Sequence, residues 1–313
     1  MLRIITRRLL LSVPLILVVS GITFVLESLV PGDPARSLLG VNATPQQYAA
    51  LRVALHLNLP LVQQYWLYLE DVFRGNLGTS IFTDQPVSQI VTSRLPVTLS
   101  LVIGATLVAA AVGTLLGVYS ATRGRLSRRV VDVVSLLGNA LPGFWVALAL
   151  SAIFAVNLGW FPATGYTSFS QSPQAWLSSL ALPVVALSIG GVALIAKVTR
   201  DAMLSTLQLD YIRTLRASGV SPRSVIWRHA LRNSSLALVT TIGLTMISFL
   251  AGAVIIENVF VLPGLGNIVI TATNEHDIPV IQGIALTFTI IVIVVNLLVD
   301  IAYGLLNPKV RAA

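Results

Sequence analysis

The chain has 313 residues, 55% apolar and only 10% charged, with 20 Lys and Arg against 12 Asp and Glu for a formal charge of +8, and no cysteine. Soluble domains are about 25% charged, so a soluble enzyme of this composition lacks the polar surface to cover itself. The apolar content excludes disorder, and the missing cysteines exclude a disulfide scaffold, a zinc finger and any thiolate metal site.

A sequence pI near 10.4 points to nucleic acid only where basic residues cluster on a soluble face. With a mean hydropathy of +0.86 the chain reads instead as a membrane protein with no nucleic-acid partner. Arg3, Arg7 and Arg8 precede a first apolar run that outlasts a signal-peptide core and has no small-residue cleavage site after it. Residues 1–30 are therefore read as the N-terminus and an uncleaved first span over 9–29.

Residues 31–96 form an extracytoplasmic subdomain punctuated by Pro31-Gly32-Asp33-Pro34, Asn58-Leu59-Pro60 and Gly75-Asn76-Leu77-Gly78. Short helices are expected over Thr44–Leu57 and Val62–Phe73, with Thr44-Pro45 as N-cap and first helical position. Two readings stay open for this segment, a small external cap and a docking surface for an external partner.

Residues 97–313 read as a five-helix core, with spans over 97–119, 134–157, 180–198, 236–256 and 281–305, a cytoplasmic loop 199–233 and an external loop 257–280. Sixteen of the 20 basic residues fall on one side, and only Arg36, Arg52, Arg74 and Arg94 on the other. Lys and Arg mark the cytoplasmic side, so both termini lie inside and the chain is an all-α, multi-pass protein of a bacterial inner or plasma membrane, in contact with lipid.

In the loop 199–233, Leu204, Leu207, Tyr211 and Leu215 recur at helical spacing. Gly219 suits the left-handed residue after a helix, and Ser221-Pro222 suits the start of another that carries Val225 to Leu231. An amphipathic pair lying on lipid fits this pattern. So does a knob for a cytoplasmic protein, and the sharp Gly219 turn favours the knob. Within the spans, Asn139 beside Leu141-Pro142-Gly143 marks a kinked helix with Asn139 and Pro142 as candidate pathway-lining residues, while Gly113 and Gly117 permit close helix packing. After the fifth span, Glu257, Phe260, Pro263 and Gly264 are candidates for an external gate, with Phe260 and Leu262 as apolar plugs.

The segment Asp210-Tyr211-Ile212-Arg213-Thr214-Leu215-Arg216-Ala217-Ser218-Gly219-Val220-Ser221, followed by Arg228-His229-Ala230-Leu231-Arg232-Asn233, resembles the EAA loop of ABC importer permeases. Pro31-Gly32-Asp33-Pro34, Gly75-Asn76-Leu77-Gly78-Thr79-Ser80, Arg94-Leu95-Pro96-Val97-Thr98-Leu99 and Glu257-Asn258-Val259-Phe260-Val261-Leu262-Pro263-Gly264-Leu265-Gly266 agree with the dipeptide/oligopeptide/nickel branch, in order and on the right sides. The chain is similar to its first permease subunit, the one with a long first external loop.

The resemblance implies a type I ABC importer permease (MetI-like) fold with six transmembrane helices. It also implies partners: a second homologous permease subunit, one or two cytoplasmic ATPase subunits and an extracytoplasmic solute-binding protein. The ATPase-coupling residues it implies are Tyr211, Arg213, Thr214, Arg216, Ala217, Ser218, Gly219, Val220 and Ser221, with Arg228 and His229. The general pattern's Glu-Ala-Ala positions are Arg213, Thr214 and Leu215 here. The sequence holds no phosphate-binding G-x-x-x-x-G-K-[ST] loop, no HExxH and no G-x-S-x-G. The chain is thus read as no enzyme, with no catalytic residue, no metal site and no cofactor of its own, ATP and Mg belonging to the partner subunits. The cargo is read as peptide, with nickel or glutathione as alternatives and a stand-alone ion-coupled carrier as the remaining one.

Overall fold

The computed structural model describes residues 2–30, 32–40, 43–124 and 140–306, with 129, 131–133, 135 and 138. In chain order the helices are α1 (Leu2–Leu29), α2 (Pro34–Leu39), α3 (Pro45–Ala54), α4 (Leu61–Phe73), α5 (Val87–Thr122), α6 (Gly143–Leu150, extended by wider i→i+5 turns over Ser151–Asn157), α7 (Pro173–Leu207), α8 (Asp210–Ala217), α9 (Pro222–Val259), α10 (Leu265–Glu275) and α11 (Ile278–Leu306). Among the described residues the sole β feature is an isolated bridge between Thr79 and Pro86. Among the described residues, five helices are long and apolar enough to cross a bilayer: α1 over Leu10–Leu29, α5, α7, α9 and α11. The shorter apolar helix Gly143–Asn157 occupies the second half of the third expected span, 134–157. Described residues between 129 and 140 are also helical, and Leu141 and Pro142 break the run, since a proline disfavours helix in the residue before it.

The long helices overrun the spans expected from apolar runs. Helix α7 begins at Pro173, where Ser172 caps it by accepting from the Ala175 amide, and continues past Lys197 and Arg200 to Leu207. Backbone hydrogen bonding does not stop where hydrophobicity does, so a helix projects beyond the hydrocarbon until a breaker ends it. Pro14, Pro96 and Pro183 sit inside α1, α5 and α7, where bilayer helices tolerate them.

The chain divides into two compact units. One comprises the described residues of Thr98–Leu262 and those from Val295 to Leu306. It is held by close helix approach at small residues. A Cβ on Gly117 would stand 2.5 Å from Thr199 Cβ, one on Gly113 2.9 Å from Ile195 Cβ, and one on Gly191 2.5 Å from Phe249. Helix α7 is thereby packed against both α5 and α9 with almost no space between them, the arrangement expected where dispersion rather than water drives association.

The other unit comprises Leu2–Val97 and Pro263–Val294. Its core joins Val87, Ile90 and Val91 of α5 to Leu265 and Ala272 of α10 and to Val280 and Ile284 of α11. The buried Asp277, at the junction of α10 and α11, accepts from Ser80 Oγ at 2.5 Å and from the Ile81 amide at 3.2 Å. That pair fastens the turn before α5, and Thr83 N–H in turn donates to Ser80 Oγ. In the segment between α1 and α5, Asp33 caps α2 through the Ala35 and Arg36 amides. The same Asp33 accepts from Tyr48 Oη at 2.5 Å and from Arg52 Nη1 at 3.3 Å, tying α2 to α3. Thr44 and Gln47 form a reciprocal capping box at the start of α3.

Candidate functional site

Helix α7 stops at Leu207, and Leu209 turns to extended backbone (φ −68°, ψ 146°) before α8 starts at Asp210. That break corrects one expectation: Leu204 and Leu207 belong to a different helix from Tyr211 and Leu215, so the four do not form a continuous stripe. The residue that holds α8 down is Ile212, which is 0% exposed and the one buried residue of the helix. Nearby, Val118 and Ala121 of α5, Met203 of α7 and Ala230 of α9 form a buried cluster with Leu204, Leu207, Ile226 and Leu231 around it. Buried Thr206 and Ser234 hydroxyls meet at 3.1 Å and hold the end of α7 to α9.

The turn out of α8 is built as its residues require. Ser218 Oγ donates back to the Thr214 carbonyl, the Gly219 amide to that of Arg216, and the Val220 amide to that of Leu215. Gly219 adopts φ 77° and a Cβ there would meet nothing, so the demand for glycine is one of backbone conformation and not of space. Ser221 Oγ accepts from the Ser224 amide and Pro222 takes the first helical position. The chain then runs without interruption through i→i+5 turns at Val225–Ala230 into α9. The expected second short helix is therefore the cytoplasmic start of the fifth span, because no breaker separates Pro222 from Val259.

The exposed face of this element carries Tyr211, Arg213, Thr214, Arg216, Ala217, Ser218, Gly219 and Ser221, with Arg228 on α9, while Val220 and His229 are half-buried. Partial burial pushes the Tyr211 phenol up from its ordinary value. Arg213 pairs with Asp210 at 3.2 Å, but both side chains are open to water, so the pair adds little. With Arg223 and Arg232 the surface is strongly basic. Sequence patterning missed Ile212, whose partners are distant in the chain, and Trp227, half exposed beside Arg228. It also missed Arg200, which is nearly buried and forms ion pairs with Asp132 and Asp201 near the cytoplasmic end of α7.

On the external side, Glu257 is 0% exposed and its Oε1 accepts from the equally buried Thr98 Oγ1 at 2.6 Å. Phe260 and Leu262 are buried, and the Phe260 carbonyl accepts from the Gly165 amide at 3.0 Å. Val261 between them has φ 53°, a strained value for a β-branched residue. In the other unit, exposed Pro263 and buried Gly264 lead into α10, a helix within the stretch 257–280 read from sequence as an external loop. Pro142 caps α6 and, with Leu141, Phe144, Gly190 and Gly252, lines a cavity of about 320 Å³; Asn139 lies outside the described residues. Among the described residues, no group of three or more His, Asp or Glu side chains is placed to hold a metal.

Residues 113–312 match the family model described as binding-protein-dependent transport system inner membrane component, and residues 1–102 match its N-terminal companion, binding-prot-dependent transport system membrane comp, N-term. The chain is 40% identical over 308 residues to a putative peptide transport system permease protein of Brucella abortus, covering 98% of each. It is 40% identical to a di/tripeptide transport system permease protein of Pseudomonas aeruginosa and 36% identical to a glutathione transport system permease protein of Salmonella choleraesuis, covering 99% of each chain in both cases. Its fold is similar to that of a chain of the MetNI methionine ABC transporter in an inward-facing conformation, with a TM-score of 0.58 at 18% identity, covering 70% of this chain and 97% of that one. Long apolar helices, an exposed α8 knob on the basic side and these likenesses along the whole chain place it in one family: it belongs to the binding-protein-dependent transport system inner membrane components, the permeases of ABC importers.

Proposed function

We propose that the chain forms half of the translocation path of an ATP-driven importer of short peptides, and that α8 with its Gly219 turn couples it to a cytoplasmic ATPase. The observation that carries the coupling role is the build of α8: an eight-residue helix whose one buried residue is Ile212, with its basic outer face bare. Such a helix transmits force as a rigid body, because its one anchor is fully buried and its exit turn is locked by three backbone and side-chain hydrogen bonds. ATP and magnesium are bound by the partner ATPase, a second permease subunit completes the path, and an external solute-binding protein delivers cargo.

Three relatives named for peptide, di/tripeptide and glutathione transport support a peptide cargo, and glutathione is itself peptide-like. Pro142 at its cavity supports a path along α6 and α7. The chain has no cysteine, so Ser218→Cys supplies a unique thiol at the tip of α8. A short bifunctional crosslinker at that thiol is expected to capture the co-expressed ATPase subunit, with a Thr79→Cys control giving none. Failure at Ser218→Cys in assembled, transport-active complexes would overturn the docking role. Uptake of labelled dipeptide that excess tripeptide or glutathione competes away supports the cargo class; uptake blind to all of them contradicts it.

A further inference from the structure

We propose that α4 lies within the outer half of the bilayer, with one edge against lipid acyl chains, although it belongs to the segment between the first two spans that the sequence presents as an external loop. The observation is where α4 touches α1. Tyr65 Oη meets Ser20 Oγ at 2.8 Å and donates to the Leu17 carbonyl at 2.9 Å, and the same phenol sits 3.5 Å from where a Cβ on Gly21 would be. Phe24 stacks obliquely on both Tyr65 and Tyr68, at centroid distances of 5.5 and 6.4 Å. The apolar window of α1 is Leu10–Leu29, so Leu17 to Phe24 is its middle. Leu17 lies about 18 Å along the helix axis from Leu29 at a rise of 1.5 Å per residue. A helix resting in water above the membrane does not bring a tyrosine to that depth.

The sequence of α4 suits the position. None of its 13 residues, all of them described, is buried, yet a helix this short is not stable alone in water. Val62, Trp66 and Phe73 are 80%, 64% and 77% exposed, and with half-buried Leu69 they fall at steps of 4, 3 and 4, on one edge. Asp71 lies opposite that edge, while Gln63 and Glu70 lie about a quarter-turn from it, on the side away from α1. Tyr65 and Tyr68 face α1. The helix that α4 rests on is bare in the same way, with Val18, Ile22, Val25 and Leu29 exposed along one face of α1. Lipid is the occupant that covers both at one depth. A water-soluble protein binding the same edge would have to enter the hydrocarbon, and Tyr65 there satisfies its hydroxyl on α1, as a polar group in a bilayer must.

The test uses single cysteines in the otherwise cysteine-free chain, at Val62→Cys, Trp66→Cys and Phe73→Cys, with Asp71→Cys on the opposite edge. Each is spin-labelled in the assembled importer in liposomes, and collision with oxygen is compared with collision with a water-soluble nickel chelate. The expected result is a reversal between edges: oxygen dominates at 62, 66 and 73, and the chelate at 71. Equal chelate access at both edges would put α4 in water and overturn the proposal. Low access to both reagents at 62, 66 and 73 would mean a protein partner covers the edge, and would overturn it too. A check without labels is the Trp66→Tyr variant. Tryptophan quenching by phosphatidylcholine with brominated chains should fall relative to the parent chain; an unchanged quenching profile would contradict lipid contact.

Discussion

Two short exposed helices, α4 in one compact unit and α8 in the other, are built in opposite ways. Helix α8 has one buried anchor, Ile212, and shows water a basic, polar face. Helix α4 has no buried residue and shows an apolar edge of Val62, Trp66 and Phe73. Exposure alone therefore says little about partner. What covers a bare helix face is decided by its chemistry and by the depth of the element it rests on, which for α4 is the middle of α1.

Placing one charge on each helix should break this contrast most sharply. Val62→Asp puts a carboxylate at bilayer depth, where insertion costs up to about 2.5–3.5 kcal/mol at a helix centre. It should lower the melting temperature of the detergent-free complex or its yield in membranes. Thr214→Asp on α8 should leave both unchanged and act on transport alone. Equal stability losses at the two sites would show that the helices do not differ as described.

The next effect concerns the anchor. Ile212→Ala removes a fully buried side chain, at a cost of about 2–4 kcal/mol if the site cannot collapse. Because no other residue of α8 is fully buried, the loss should appear as faster amide exchange and proteolysis over 208–221 while the spans stay protected. Uniform destabilisation of the whole chain would argue that α8 is not held separately.

A smaller effect is expected at Asp33, between α1 and α2. Burial pushes its carboxyl up, but hydrogen bonds from Tyr48 and from the Ala35 and Arg36 amides, with the Arg52 charge, outweigh burial and hold it below the usual aspartate range. A depressed folded value means that the stabilisation is present above the unfolded value, about 3.9, and is lost as pH falls through the folded one. Proteolysis of the α2–α3 segment should therefore quicken on acidification below that point in the parent chain. Asp33→Asn should abolish that dependence; the same acid response in both would assign it elsewhere. The smallest effect is at Asp210→Asn, which removes an ion pair open to water and should change stability by under about 0.5 kcal/mol in thermal melts.

The sequence shows these features unevenly, for physical reasons. Long apolar runs, the loop charges and the turn at Gly219 are local signals, and the structure carries them. Helix ends were blurred because α7 and α9 continue in water past their apolar stretches. The leucine periodicity across Leu207 and Tyr211 is real in spacing but is cut by extended backbone at Leu209, which no proline or glycine announces. Ser80 with Asp277, Thr98 with Glu257 and Glu27 with Gln282 pair residues far apart in sequence and leave no periodic trace. The depth of α4 was hidden in the same way. Thirteen residues are too few to cross a bilayer and two of them are acidic, so only the contact of Tyr65 with Leu17 and Ser20 reveals where the helix lies.

The central claim, that α8 couples ATP hydrolysis to transport, rests on the left-handed Gly219. Peptide uptake per ATP hydrolysed, measured in proteoliposomes of the assembled importer, tests it directly with two substitutions. Valine resists φ near 77° at about 1–2 kcal/mol, whereas asparagine adopts that region with far less strain. Gly219→Val should lower uptake per ATP several-fold with the complex still assembled, and Gly219→Asn should restore most of it. Equal, undiminished coupling in both variants would contradict the account.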